Sequence, residues 1–436
     1  MADLKRELTL FDLTMIAIGG TIGSGIFLTP SLIAQELSFP VLILAVWLLG
    51  GILALSGALT FAELGGMIPE AGGVYRFLAD SYGGLAGFLY GWVYFLVVNT
   101  GGLGALALAF ATYFGYLVPL SSAGVTFVAI GGLIGLTVIN VLGVRAGGVF
   151  SDIFTILKLA GIAGLLVLAF GWGDFSGIDL GVLWPSQDRS LSGALSVALI
   201  GVLWSYGGWQ HATYTAAEAK NPSHTVPRAL MLGAGVVVAV YVAVNVAYMM
   251  LLPVEVIASS DQVAADAAAR VLGPVGGSLI ALTIFISTFG TAGIYTLTAP
   301  RIYFAMARDG VFFRSVASVH PRYNTPAWAI ILQTVWGIVL ILFWGTFEEL
   351  ISYVVFTDWI FFGLAGASVF ILRRKKPDAP RPYRTLGYPF TPLLFVGGSA
   401  WFVISTMIEK PAQAGVGLLF LALGVPVYYY WKRKAR

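Results

Sequence analysis

Residues 19 to 27, Gly-Gly-Thr-Ile-Gly-Ser-Gly-Ile-Phe, put four glycines into an apolar stretch that is otherwise long enough to form one membrane-crossing helix. Helix packing through small residues calls for a spaced small-xxx-small face, and a block of this kind instead breaks the helix. In hydrocarbon, unwound backbone survives only where protein or a water-filled cavity satisfies its N–H and C=O groups, so the run points to a binding cavity at mid-membrane. A second interruption, Trp204-Ser205-Tyr206-Gly207-Gly208-Trp209, follows about 180 residues later in another apolar stretch. Amide groups exposed at the start of a half-helix suit an anion, and carbonyls exposed at the end of one suit a cation. Two such breaks together read a zwitterion without any charged side chain. Two ionisable residues also fall deep inside apolar stretches, Lys158 and, within Phe356-Thr357-Asp358-Trp359-Ile360, Asp358. Such residues are costly in lipid and are functional candidates by default.

The elements that must position these groups follow from composition. With 58% hydrophobic and 10% charged residues and a mean hydropathy of +0.89, the chain is an all-α polytopic membrane protein, not a soluble globule. A spanning helix needs roughly 20 apolar residues. That ruler gives twelve spans, near 11–36, 40–66, 84–117, 124–142, 148–170, 192–217, 227–252, 273–304, 326–344, 348–372, 388–408 and 412–431. Residues 67–83 read as a turn and a short amphipathic helix, and 253–272 as a surface helix over one mouth of the protein. Of the 24 Lys and Arg, only Arg189, Arg270 and Lys410 fall in loops opposite the N-terminal side. Both termini are therefore expected in the cytoplasm, and the net charge of +3 is this bias, with no nucleic-acid partner implied. The first apolar segment is too long for a cleavable signal and is expected to direct its own insertion. The absence of cysteine excludes disulfides, thiolate metal sites and a disulfide-linked ancillary subunit. Three scattered histidines, His211, His224 and His320, give neither a metal spacing nor a catalytic constellation, and no cofactor is called for. A channel would need rings of charge or carbonyls along a pore, which isolated ionisable residues do not supply.

Several stretches together resemble amino acid–polyamine–organocation permeases, and within them the L-type amino acid transporter group. They are Gly-Thr-Ile-Gly-Ser-Gly-Ile-Phe at 20–27, Ala-Glu-Leu-Gly at 62–65, Pro-Glu-Ala-Gly-Gly-Val-Tyr at 69–75, Ser-Tyr-Gly-Gly-Trp at 205–209 and Glu-Ala-Lys-Asn-Pro at 218–222. Arg301 through Gly310, His320-Pro321 with Thr325-Pro326, and Leu372 through Pro377 leading to Arg381-Pro382-Tyr383 extend the likeness over nearly the whole chain. The resemblance implies a leucine-transporter-like 5+5 inverted repeat, with spans 1 to 5 in residues 1–170, spans 6 to 10 in 192–372 and two peripheral spans in 388–431. Spans 1 and 6 are then discontinuous.

Carried over residue by residue, the resemblance puts the substrate carboxylate on the amides of Ser24, Gly25 and Ile26. The ammonium goes to the carbonyls of Thr21, Trp204 and Ser205, with Ile22, Tyr206 and Gly207 completing the site. Trp204 is expected to close the outward path and Tyr295 the inward one, although aromatic residues also serve as packing and interfacial belts. Lys158 matches a lysine that in several relatives stands where sodium-driven members hold a sodium ion, with Gly19, Ile22 and Ser287 as its expected partners. Its ammonium then either braces the helices permanently, making transport sodium-independent, or loads and releases a proton; a lysine that merely snorkels is the bland alternative. Asp358 departs from the neutral residue expected in this group. It is a selectivity candidate for basic amino acids, a proton site, or an acceptor for a neighbouring helix. Asn99, Gln210 and His211 are further selectivity candidates, and Glu63 and Glu218 read as structural or gating contacts. The activity implied is sodium-independent exchange of neutral L-amino acids across a cytoplasmic membrane, and the compact termini point to a bacterial or archaeal inner membrane. Proton-coupled symport that accepts cationic amino acids, and a sensor that binds without translocating, are the competing readings.

Overall fold

A computed structural model describes residues 4–175, 178, 191–343 and 347–434, with the backbone alone at 347–354. Arg189 and Arg436, both part of the charge count, and residue 344 of the ninth expected span lie outside these residues. Thr9 and Asp12 form a capping box that starts α1 (Leu10–Thr21), and the glycine run ends it; α2 (Gly25–Leu37) resumes after three residues. The helices α3 (Pro40–Met67), α4 (Val74–Tyr82) and α5 (Gly84–Val93) follow. A π-helical turn at Tyr94–Val98 leads into α6 (Asn99–Leu117), and the Thr100 hydroxyl donates to the Phe95 carbonyl across it at 2.7 Å. Turns of this kind are frequent at functional sites, and here one shifts the helical register immediately before Asn99.

Next come α7 (Ser122–Val141), α8 (Val144–Trp172) and α9 (Leu191–Tyr206). After the second break the chain forms only α10 (His211–Tyr214) and a 3-10 turn at Ala216–Glu218 before α11 (Pro222–Leu251), which has proline at its first position. The expected span at 192–217 is thus helix only to Tyr206. Two short helices, α12 (Val254–Ser259) and α13 (Val263–Leu272), stand where a single surface helix was expected, and α4 where the short amphipathic helix was. The remainder is α14 (Pro274–Thr298), α15 (Pro300–Arg308), α16 (Ala327–Phe343), α17 (Phe347–Lys375), α18 (Phe390–Glu409) and α19 (Pro411–Lys434).

Ten of these segments are long and apolar enough to cross a membrane, and α9 and α16 are shorter apolar helices. Among the described residues the one strand-like feature is a bridge between Leu8 and Ala219. The segment from Leu10 to Leu37 is buried along most of its length, whereas α7 and α19 bury little of theirs. The broken segments therefore form the centre, surrounded by helices whose outer faces are apolar and exposed, as lipid demands.

Candidate functional site

The two breaks meet backbone to backbone. Gly208 has φ +126° and packs against the Gly20 carbonyl so closely that a β-carbon has no room there, and Gly25 lies against Ser205 in the same manner. Between α1 and α2 the main-chain amides of Gly23, Ser24, Gly25 and Ile26 find no acceptor among the described residues, and the Ser24 hydroxyl is buried without a partner. Five donors are thus gathered at the start of α2, where the helix dipole adds partial positive charge. Beside the same break, the Thr21 and Ser205 carbonyls share one donor. The Tyr241 hydroxyl on α11 lies 2.9 Å from each, and its single proton serves one at a time. The Trp204 carbonyl accepts from the Gly207 amide at 3.1 Å. Tyr206 stacks at a tilt on Tyr241, with 5.0 Å between centroids, and so fixes the tyrosine ring against the breaks.

Lys158 on α8 is fully buried and donates to the carbonyls of Gly19 at 2.9 Å and Ile22 at 2.7 Å. Its third partner is the Thr291 hydroxyl at 2.8 Å, not Ser287. Ser287 lies one turn away on the same face of α14 and instead donates to the Ile22 and Gly23 carbonyls, at 3.2 and 3.1 Å. An ammonium has three donors for these three acceptors. A neutral amine fits the same cage once the Thr291 proton turns toward the nitrogen.

A cavity of about 30 Å³ lies beside the second break. Asn99, Trp204, Gly207, Gln210, Tyr295 and Asp358 are among the residues that line it, so four of the five expected gating and selectivity side chains other than Trp204 come together. Gly102 lies beside the Trp204 and Tyr295 rings, close enough that a β-carbon there would be in ordinary contact with them at 3.6 and 3.4 Å. The exception is His211, which stacks behind Tyr295 with 4.3 Å between centroids. Its Nδ1 meets the Thr298 hydroxyl, whose own proton goes to the Ile294 carbonyl, so Nδ1 carries the hydrogen and Nε2 accepts from Tyr94 at 3.3 Å. Gln210 accepts from the Gly208 amide at 2.8 Å and so ties down the break itself.

Toward the end of the bundle that carries Leu8, ion pairs tie neighbouring elements together. Glu218, just after the second break, pairs bidentately with Arg301 at 2.7 and 2.8 Å, both fully buried, and its carbonyl accepts from the amides of Glu7 and Leu8. Glu63 on α3 takes a bidentate bond from Arg373 at 2.9 and 2.7 Å and further bonds from the amide and hydroxyl of Thr385. Asp309 accepts from Tyr75 at 2.7 Å and from Arg76 at 2.8 Å. Tyr75, on the amphipathic α4 outside the spans, has its phenol pushed up by burial and then by the Asp309 charge, which keeps it a donor. Tyr241 and Thr291 are the contributors that the sequence reading missed. Nothing local distinguishes one tyrosine among 19, but Thr291 follows Ser287 at the helical spacing of four and was open to recognition.

Apolar spanning helices around two broken ones, with unpartnered main-chain amides at the first break packed beside the second, define a multi-pass membrane protein of the carrier class. The chain belongs to the amino acid permease family, whose sequence pattern matches residues 8–428. It is 33% identical to the serine/threonine exchanger SteT of Bacillus subtilis (strain 168) over 435 residues, covering 99% of this chain and 98% of the relative. It is also 33% identical to the large neutral amino acids transporter small subunit 2 of Mus musculus over 446 residues, covering 99% of this chain and 83% of that protein. The b(0,+)-type amino acid transporter 1 of Homo sapiens is 30% identical over 454 residues, with 99% and 90% covered. These relatives are transporters, not enzymes.

Proposed function

We propose that this protein is a sodium-independent amino acid exchanger that works by alternating access. The observation that carries the reading is the set of orphan donors at Gly23 to Ile26 set against the Thr21 and Ser205 carbonyls. A carboxylate satisfies the first group and an ammonium the second, and an α-amino acid carries both on one carbon. Exchange with SteT and large neutral amino acid transport by the mouse relative, as their names state, agree with this reading, and neutral L-amino acids are the substrates that the resemblance implies. Twelve spans arranged as inverted repeats 1–170 and 192–372, with 388–431 peripheral, put the two breaks at equivalent positions. The Lys-rich and Arg-rich loops and both termini face the cytoplasm, and the protein resides in a cytoplasmic membrane.

In this reading Trp204 and Tyr295 gate the side-chain cavity, and the Lys158 ammonium replaces sodium as the brace between the first break, α8 and α14. The Lys158–Thr291 geometry, which also accepts a neutral amine, favours proton-coupled symport as the second reading. The deciding experiment is uptake of labelled amino acids into proteoliposomes in sodium-free buffer, empty or preloaded with unlabelled amino acid, with and without an inward proton gradient. Uptake that requires preloading supports exchange. Uptake into empty vesicles that rises with the proton gradient supports symport, and binding without any flux supports the sensor reading.

A further inference from the structure

Several basic side chains at the end of the bundle that carries Leu8 are matched by an acid. Arg301 pairs with Glu218, Arg373 and Arg381 with Glu63, Arg76 with Glu70 and Asp309, and Lys376 with Asp80. Arg314 and Lys434 are not: both are exposed, and neither meets a carboxylate among the described residues. The two line one open cavity of about 710 Å³, and Arg308 lines it with them. No acid is among the described residues around this cavity, and Asp309, next in sequence to Arg308, is taken up by Tyr75 and Arg76. The other notable feature of the wall is aromatic. Phe312 and Phe313 lead into a 3-10 turn at Arg314–Ala317, and Phe313 stands edge-on to Trp431 with 5.2 Å between centroids. Trp431 lies near the end of the spanning helix α19, beside Tyr429 and Tyr430, and those two rings and Phe313 are each more than half exposed. Aromatic rings and basic side chains at the end of a spanning helix mark the level of the lipid headgroups.

We propose that this cavity holds the headgroup of an acidic phospholipid, with the phosphate on Arg308, Arg314 and Lys434 and the acyl chains running along Phe313 and the outer face of α19. A soluble anion calls for charge alone, whereas here the charge adjoins an exposed aromatic wall continuous with the lipid-facing surface, which suits a ligand with an anionic head and an apolar tail. A guanidinium matches two phosphate oxygens at once, and the lysine ammonium adds a point charge. In the orientation proposed above, this is the cytoplasmic leaflet, whose acidic lipids draw basic segments toward the surface. Basic residues that serve topology alone need neither a shared cavity nor aromatic walls. A headgroup in this place bridges α19, the last span, to the turn after α15, where Asp309 holds Tyr75 and Arg76 of α4. The lipid thereby clamps a peripheral helix to the contacts at this mouth of the protein.

The test is binding of phosphatidylglycerol and of phosphatidylcholine to the full-length protein in detergent, followed by native mass spectrometry and by thermal unfolding. Wild type is expected to prefer phosphatidylglycerol and to unfold at a higher temperature in its presence. Arg314→Gln combined with Lys434→Gln removes two charges worth about fivefold each, so binding is expected to weaken about 30-fold and the thermal shift to vanish. Arg374→Gln combined with Arg384→Gln removes the same charge from two other exposed arginines that meet no acid among the described residues, and is expected to bind as wild type does. Equal losses in the two double variants mean attraction by net charge alone and overturn the proposal. Equal binding of the two lipids by wild type, a comparison that needs no variant, also overturns it. Glycerol phosphate that binds as tightly as the intact lipid makes this a site for a soluble phosphate compound and overturns it as well.

Discussion

Replacing Lys158 with methionine removes the amine at nearly constant length. Three hydrogen bonds from a charged donor are lost, each of the order of 1.5–3 kcal/mol. The loss is partly repaired in place. Thr291 already lies 2.7 Å from the Gly19 carbonyl and Ser287 3.2 Å from that of Ile22, so each hydroxyl can serve one of the abandoned oxygens. The uncompensated remainder is about 2–4 kcal/mol, or roughly 30- to 900-fold fewer molecules with the first break braced against α8 and α14. Exchange rate per molecule, measured in proteoliposomes at matched protein content across a range of pH, should fall by at least tenfold. Thermal unfolding of the purified variant separates loss of the brace from loss of the protein. Exchange equal to wild type at every pH would refute the reasoning, for the braced and the proton-loading roles alike.

Three other substitutions probe different parts of the site. Glu218→Gln leaves the buried Arg301 guanidinium without its charge partner, at about 3–5 kcal/mol, and should lower the unfolding temperature together with exchange. Gly208→Ala places a β-carbon at φ +126° against the Gly20 carbonyl, a strain of about 1–3 kcal/mol before the clash is counted, and should abolish substrate protection against thermal unfolding. Tyr241→Phe removes one hydroxyl shared between the Thr21 and Ser205 carbonyls, worth about 0.5–1.5 kcal/mol, and should change the KM by less than about tenfold while exchange persists.

What could be read from the sequence differs by kind of signal. The glycine block at 19–25 and the Ser205 to Gly208 run announced both breaks, because a block of helix breakers in an apolar stretch has few other meanings. Lys158 announced itself through the cost of a buried amine, and two of its three contacts, Gly19 and Ile22, followed from the resemblance. Its third contact was misplaced by one helical turn, since Ser287 and Thr291 share a face and only packing selects between two hydroxyls on it. Tyr241 was invisible because its role comes from where α11 crosses both breaks, a long-range fact without a local pattern. The π turn before Asn99 was equally hidden, and so was the Gln333 contact that turns the Asn99 oxygen away. His211 stood out by residue type, yet its place behind Tyr295 depends on how α10 and α14 pack.

In the proposed reading, the meeting of Gly20 with Gly208 and of Gly25 with Ser205 sets the groups common to every α-amino acid against main-chain atoms, whose chemistry no codon can alter. In the same reading the variable end of the substrate is left to side chains from other elements that line the cavity, Asn99 after the π turn and Asp358 on α17. Recognition of the constant part and of the variable part are thereby carried by separate portions of the chain. Mutation at the second portion can explore new side-chain chemistries while the first continues to hold the amino acid, which makes substrate range the property of this architecture that evolution, or an engineer, can change with the fewest substitutions.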